Sequence, residues 1–216
     1  MLYAILKVPA VALMRWWFRL RVTGAEHVPP TGAALIVSNH QSILDPPVVG
    51  GSAPRQVFFL AKAELFRIPL FGRLIHALHA RPVRREGSDA RALRTAARLL
   101  EEGKALLVFP EGTRSLDGRL AEAKPGVGML AVMSGVPVVP AYVSGTLEAL
   151  PKGAVRPRRS QVSVRFGPAL HFKAQSGEGR KDRYREAANE MMRAITQLKD
   201  QQEQQEQQDQ QHRQQR

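Results

Sequence analysis

The apolar residues of this chain gather in short unbroken runs, separated by polar stretches with a longer period. Residues 33–37 (AALIV) and 105–109 (ALLVF) are continuous apolar runs. Runs of that length without alternation predict strands covered on both faces. Residues 56–61, 138–143 and 162–166 extend the strand list. Between them the pattern turns helical. Ser88 is placed to cap a helix that runs through Leu93, Ala97 and Leu100 and stops before Gly103. Pro125 suits the first turn of another helix, and a last one is expected over residues 181–199. Strands alternating with helices predict an α/β layered domain over residues 23–199, a central mostly β-sheet flanked by helices. The order of strands within the sheet cannot be read from this pattern.

The two ends of the chain depart from it. Residues 1–22 as a helix would be about 33 Å long, but Lys7 and Arg15 interrupt them and leave only residues 8–14 uncharged between. Such a segment spans a membrane poorly. Trp16, Trp17 and Phe18, set among Arg15, Arg19 and Arg21, predict a membrane-interfacial amphipathic helix with snorkelling cations. The alternative is a helix packed on the domain itself. A signal peptide is disfavoured because Arg15 and two tryptophans stand where a small-residue cleavage site belongs. At the other end, residues 200–216 are rich in glutamine and hold no apolar residue. That composition predicts a mobile tail or a frayed helical extension, and no function is assigned to it.

Composition narrows the partners. At 216 residues and 44% hydrophobic content, the chain forms one domain with a core of ordinary size. A net charge of +13 implies an anionic partner. Nucleic acid is one class, but residues 152–165 are basic and nearly free of aromatics, so that reading rests on charge alone. A membrane surface with anionic lipids is the other. The chain has no cysteine, which fits a reducing compartment. The expected location is the cytoplasmic face of the inner membrane, peripheral or monotopic.

The two apolar runs matter most for the polar loops into which they lead. The first run passes into Asn39-His40-Gln41-Ser42-Ile43-Leu44-Asp45, and the second into Pro110-Glu111-Gly112-Thr113-Arg114-Ser115. Ligands of open α/β sheets bind outside the carboxyl ends of strands, where both segments would lie. An alcohol attacks an ester or thioester slowly unless a base stands beside it, and imidazole suits that role near neutral pH. His40 is the candidate base. Asp45 would hold the other ring nitrogen and stabilise the imidazolium, as in a catalytic triad with the substrate hydroxyl in place of serine. Arg114 is a candidate fork for phosphate oxygens.

Other signals are weaker. Residues 126–131 fit a dinucleotide pattern, yet the polar stretch before them ends in Pro125 and forms no strand. Residues 50–54 have proline where a nucleophile elbow needs glycine, so no serine acyl-enzyme is expected. His76 and His79 have no nearby carboxylate to complete a zinc set, and no metal or resident cofactor is expected. The apolar cluster Leu65, Phe66, Ile68, Leu70, Phe71, Leu74 and Ile75 is either ordinary core or the lining of an acyl-chain groove.

On these motifs the chain resembles the phospholipid and glycerol acyltransferase family, most closely the lysophosphatidic acid acyltransferases. The segments 39–45 and 109–115 match its first and third blocks, and Val136-Pro137-Val138-Val139-Pro140 its fourth. Its second block is looser here: Lys62-Ala63-Glu64-Leu65, Pro69, Gly72, then Val83-Arg84-Arg85 at the family's basic strand end. Arg85 matches better than Arg84. The resemblance covers residues 24 to 166. It implies acyl transfer from acyl-coenzyme A or acyl carrier protein to the sn-2 hydroxyl of lysophosphatidic acid. Glycerol 3-phosphate, a lyso-ornithine lipid or another lysophospholipid are alternative acceptors. His40 and Asp45 would be catalytic. Glu111, Gly112, Thr113, Arg114, Arg85, Arg84 and Lys62 would bind substrate, Glu111 either by touching the glycerol or by capping its own loop.

Overall fold

The computed structural model of the chain describes residues 2–69, 71–83, 89–173 and 179–214. Strands β1 (Arg21–Thr23), β2 (Ala34–Ser38), β3 (Val57–Lys62), β4 (Ala80–Val83), β5 (Ala105–Val108), β6 (Val138–Ser144) and β7 (Ser163–Phe166) build one sheet. Their order is β1-β7-β6-β2-β5-β3-β4. Five neighbouring strands, β6, β2, β5, β3 and β4, run parallel, and β7 turns antiparallel to β6. The two short strands at the sheet's edges, β1 and β4, escape the hydrophobic pattern. β4 carries Pro82, which an edge strand tolerates because one side of its ladder is unpaired.

Alternate residues of the buried strands feed two cores. Ala34 and Ile36 of β2, with Leu107 of β5 and Val139 and Ala141 of β6, face α2 (Asp45–Ser52), α3 (Phe71–Ala77) and the end of α1 (Leu2–Phe18). Leu35, Val37, Leu106 and Val138 face the other way. They meet α4 (Asp89–Glu101), α5 (Pro125–Ser134) and α7 (Arg180–Gln214). The expected layered α/β architecture is thus present, with continuous apolar runs where both strand faces are covered. Gly128 lets α5 lie against α7, since a Cβ there would sit 1.8 Å from the Tyr184 carbonyl oxygen. Residues 126–131 belong to α5, opened by Pro125, and not to a nucleotide loop.

The N-terminal boundary needs correction, and the C-terminal tail takes the helical of its two expected forms. The first helix stops at Phe18, not at residue 22. Arg19 adopts a left-handed φ of 47°, Leu20 is buried, and Arg21–Thr23 pair with β7. The last helix runs on past Lys199 to Gln214. Glutamine is a good helix former, and the extension is tied down. Arg165 of β7 donates to Gln202 Oε1 and Gln205 Oε1, and Arg21 pairs with Asp209 at 3.1 Å. Ser88, the expected cap of α4, lies outside the described residues. Within the apolar cluster after β3, Ile75 is buried, Leu65 and Phe66 pack partly on the core, and Ile68 is exposed. Leu70 and the side chains of Phe71 and Leu74 lie outside what the structure describes.

Candidate active site

Strands β2 and β5 are adjacent and parallel, yet the helices that come after them pack on opposite faces of the sheet. The chain therefore leaves them toward opposite faces, which makes the crevice outside their carboxyl ends the expected ligand position of an open α/β sheet. The crevice lies at the edge where β6, β2, β5 and β3 all end.

On the β2 side, α2 begins with Asp45-Pro46-Pro47. The prolines have no amide hydrogens to leave unsatisfied in the first turn. Asp45 is fully buried, and its carboxylate turns back over the preceding loop. Oδ2 accepts the Gln41 amide at 2.6 Å, the Ser42 amide at 2.7 Å and lies 2.8 Å from His40 Nδ1. Oδ1 accepts the Thr146 hydroxyl at 2.6 Å. Oδ2 faces three donors as an acceptor, so a neutral His40 ring would carry its proton on Nδ1 and leave the lone pair at Nε2. Among the described residues Nε2 has no hydrogen-bond partner.

Three further contacts hold the imidazole and its loop. The ring stacks on Phe109 with centroids 4.0 Å apart. The His40 amide donates to Glu111 Oε1, and its carbonyl accepts the Ser115 amide at 2.7 Å. Asn39 pairs with the backbone of Val143 through both ends of its amide, and the Ser42 hydroxyl donates to the Leu150 carbonyl.

On the β5 side, Gly112 has a φ of 69°, and a Cβ there would meet the Lys124 side chain at 2.6 Å. Glu111 is buried and bridges two loops, accepting the His40 amide at Oε1 and the Ala121 amide at Oε2. Burial pushes its carboxyl above the ordinary value, outweighing the two amides that favour the charged form. These contacts face protein backbone, which is the loop-capping alternative. Thr113 is exposed, Arg114 is half-buried, and Arg114 makes no hydrogen bond or ion pair among the described residues. Lys62 ends β3, exposed at the same sheet edge. Arg84 and Arg85 lie outside the described residues. The Ser52 hydroxyl donates to its own helix at the Val48 carbonyl and is no exposed nucleophile.

Sequence reasoning missed Thr146, which stands 101 residues beyond Asp45. The signal was Gly145-Thr146 directly after β6, the strand beside β2. A cavity of about 490 Å³ opens toward the opposite sheet edge, between residues 23–27, β7 and α7, and contains none of these residues.

Residues 19–144 match the model of the Acyltransferase family, more than half of the chain. The chain belongs to the Acyltransferase family. The match includes both motif loops and Lys62 and ends just short of Thr146. A 1-acyl-sn-glycerol-3-phosphate acyltransferase of Limnanthes douglasii is 35% identical over 155 residues, 70% of this chain and 54% of that protein. The chain thus spans about half the length of that relative. The protein of the same name from Bacillus subtilis is 29% identical over 153 residues, 74% of its length. Among solved structures, the lysophosphatidic acid acyltransferase PlsC of Thermotoga maritima superposes with a TM-score of 0.71 at 31% identity. The superposition covers 91% of this acyltransferase-family chain and 80% of PlsC.

Proposed function

We propose that this chain is an O-acyltransferase that moves a fatty acyl group from acyl-coenzyme A or acyl carrier protein to the sn-2 hydroxyl of lysophosphatidic acid, giving phosphatidic acid. The observation that carries the reading is His40, held by Asp45 at 2.8 Å through Nδ1 and left with a free Nε2 at the crevice. Nε2 takes the hydroxyl proton as the acceptor oxygen attacks the thioester carbonyl. The carbon–sulfur bond then breaks, and the imidazolium returns the proton to the departing thiolate. Asp45 stabilises that imidazolium, and Thr146 and the loop amides fix Asp45.

Arg114 and Lys62, with Arg85 and Arg84 next along the chain after β4, supply cations for the acceptor's phosphate. Relatives named for acylation of 1-acyl-sn-glycerol 3-phosphate support this acceptor. Among the described residues no helix is long and apolar enough to cross a membrane. The exposed Trp16 and Leu13 of α1 support peripheral attachment to a membrane carrying anionic lipids, on its cytoplasmic face. A panel assay tests the reading: purified protein with either thioester donor, offered lysophosphatidic acid, glycerol 3-phosphate, a lyso-ornithine lipid and monoacylglycerol. Fastest turnover on lysophosphatidic acid is expected. Preference for monoacylglycerol, which lacks phosphate, would overturn the acceptor assignment.

A further inference from the structure

The segment between β6 and β7 carries a charge that acyl transfer does not use. After α6 (Thr146–Ala149) the chain reads Pro151-Lys152-Gly153-Ala154-Val155-Arg156-Pro157-Arg158-Arg159. Lys152, Arg156, Arg158 and Arg159 are all exposed, and none has an ion-pair partner among the described residues. No acidic residue occurs between Glu148 and Glu178. At the centre of this basic stretch stands Val155, 92% exposed. An exposed aliphatic side chain in a stretch of cations without ion-pair partners suits no folded-state purpose visible among the described residues.

The segment abuts α1. Its end is joined to that helix, since the Val162 amide donates to the Phe18 carbonyl and the Arg21 amide to the Val162 carbonyl. The Arg159 guanidinium lies 5.8 Å from the centre of the Trp16 ring. Met14, Trp17 and Phe18 of α1 turn toward the core, which leaves Pro9, Ala12, Leu13 and Trp16 exposed on the outward side. The outward side of a helix packed on a domain is ordinarily polar. Here it is an apolar stripe flanked by the exposed Arg15 and Arg19. The segment also starts at the active site, where the Leu150 carbonyl accepts the Ser42 hydroxyl at 2.8 Å.

We infer that residues 151–160 form, together with the outward face of α1, one docking surface for a bilayer of anionic phospholipids. Val155, Leu13 and Trp16 enter the interface, and the four cations of the segment bind headgroup phosphates beside them. The inference rests on the membrane attachment in the proposed function and adds the second element that makes it. Docking on this surface presents lipid beside the loop that carries His40.

Vesicle flotation of the full chain tests this without reading turnover, so a wrong acyl acceptor leaves the result untouched. Vesicles of phosphatidylcholine alone and of phosphatidylcholine mixed with phosphatidylglycerol are compared at low salt. The combined variant Lys152→Gln, Arg156→Gln, Arg158→Gln, Arg159→Gln is expected to bind the anionic vesicles up to about a thousandfold more weakly, with parental circular dichroism. Replacing the three arginines with lysine keeps the charge and should keep the binding. Val155→Asp and Trp16→Glu should each weaken it severalfold. Parental flotation of the glutamine variant would overturn the proposal. So would salt-steep binding of the parent to duplex RNA with no gain from phosphatidylglycerol.

Discussion

The two sides of the crevice are built on opposite principles. On the β2 side Asp45 is fully buried, both its oxygens accept hydrogen bonds, and His40 is wedged between it and Phe109. On the β5 and β3 side Arg114 is half-buried, Lys62 is exposed, and neither is paired among the described residues. The difference stems from the cost of burial. A carboxylate removed from water is penalised by several kcal/mol unless the protein supplies its partners. An accessible guanidinium keeps its hydration until a phosphate replaces it. In the proposed reaction the base is therefore assembled before substrate arrives, and the anion clamp would be completed by the substrate itself. Losses on the first side should appear in kcat or stability, and losses on the second in KM.

The largest expected effect is on the assembled side. His40→Ala should lower kcat by roughly 10² to 10⁴ in a steady-state assay. Asp45→Asn keeps the shape but removes the charge that favours imidazolium, and should fall nearly as far. Thr146→Val leaves Asp45 Oδ1 without its donor. A stability loss of about 1–3 kcal/mol in urea unfolding is expected, with Thr146→Ser restoring it. On the open side, Arg114→Ala should raise the KM for lysophosphatidic acid by about tenfold, equivalent to ~1.4 kcal/mol of lost binding.

The smallest effect concerns Glu111. Its carboxyl is raised by burial, so the folded chain holds that proton more tightly than the unfolded chain does. Stability should then fall as pH rises from the ordinary glutamate value of 4.5 through the raised one, and level off above it. Glu111→Gln should remove that slope. It should also cost stability at low pH, because one glutamine oxygen cannot accept both the His40 and the Ala121 amides. Thermal melts of both proteins across the acidic range check this.

What the sequence disclosed divides along the same line. The runs that became β2 and β5 were legible because helices cover both their faces and every residue of each run is apolar. β1 and β4 were not: β1 has only three residues, and β4, though as long as β5, lies at the sheet's edge and carries Arg81 and Pro82. The helical extension past Lys199 was one of two readings of the glutamine-rich tail, and its anchors, Arg165 and Arg21, were hidden because they are distant in the chain. In the site, His40 and Asp45 lie five residues apart in one loop and could be paired on paper. Thr146 could not be, since only the parallel pairing of β6 with β2 brings it to Asp45. For Glu111, capping of its own loop was one of two readings, but its bond to the His40 amide of the other loop could not be read.

The contrast between the two sides is tested most directly by measuring kcat and KM for lysophosphatidic acid in His40→Ala and Arg114→Ala side by side, with phosphatidic acid quantified as product. The account predicts that His40→Ala loses kcat at a nearly parental KM, while Arg114→Ala loses KM at a nearly parental kcat. Phosphatidic acid formed at the parental rate by His40→Ala, or a collapse of kcat at parental KM in Arg114→Ala, would contradict it.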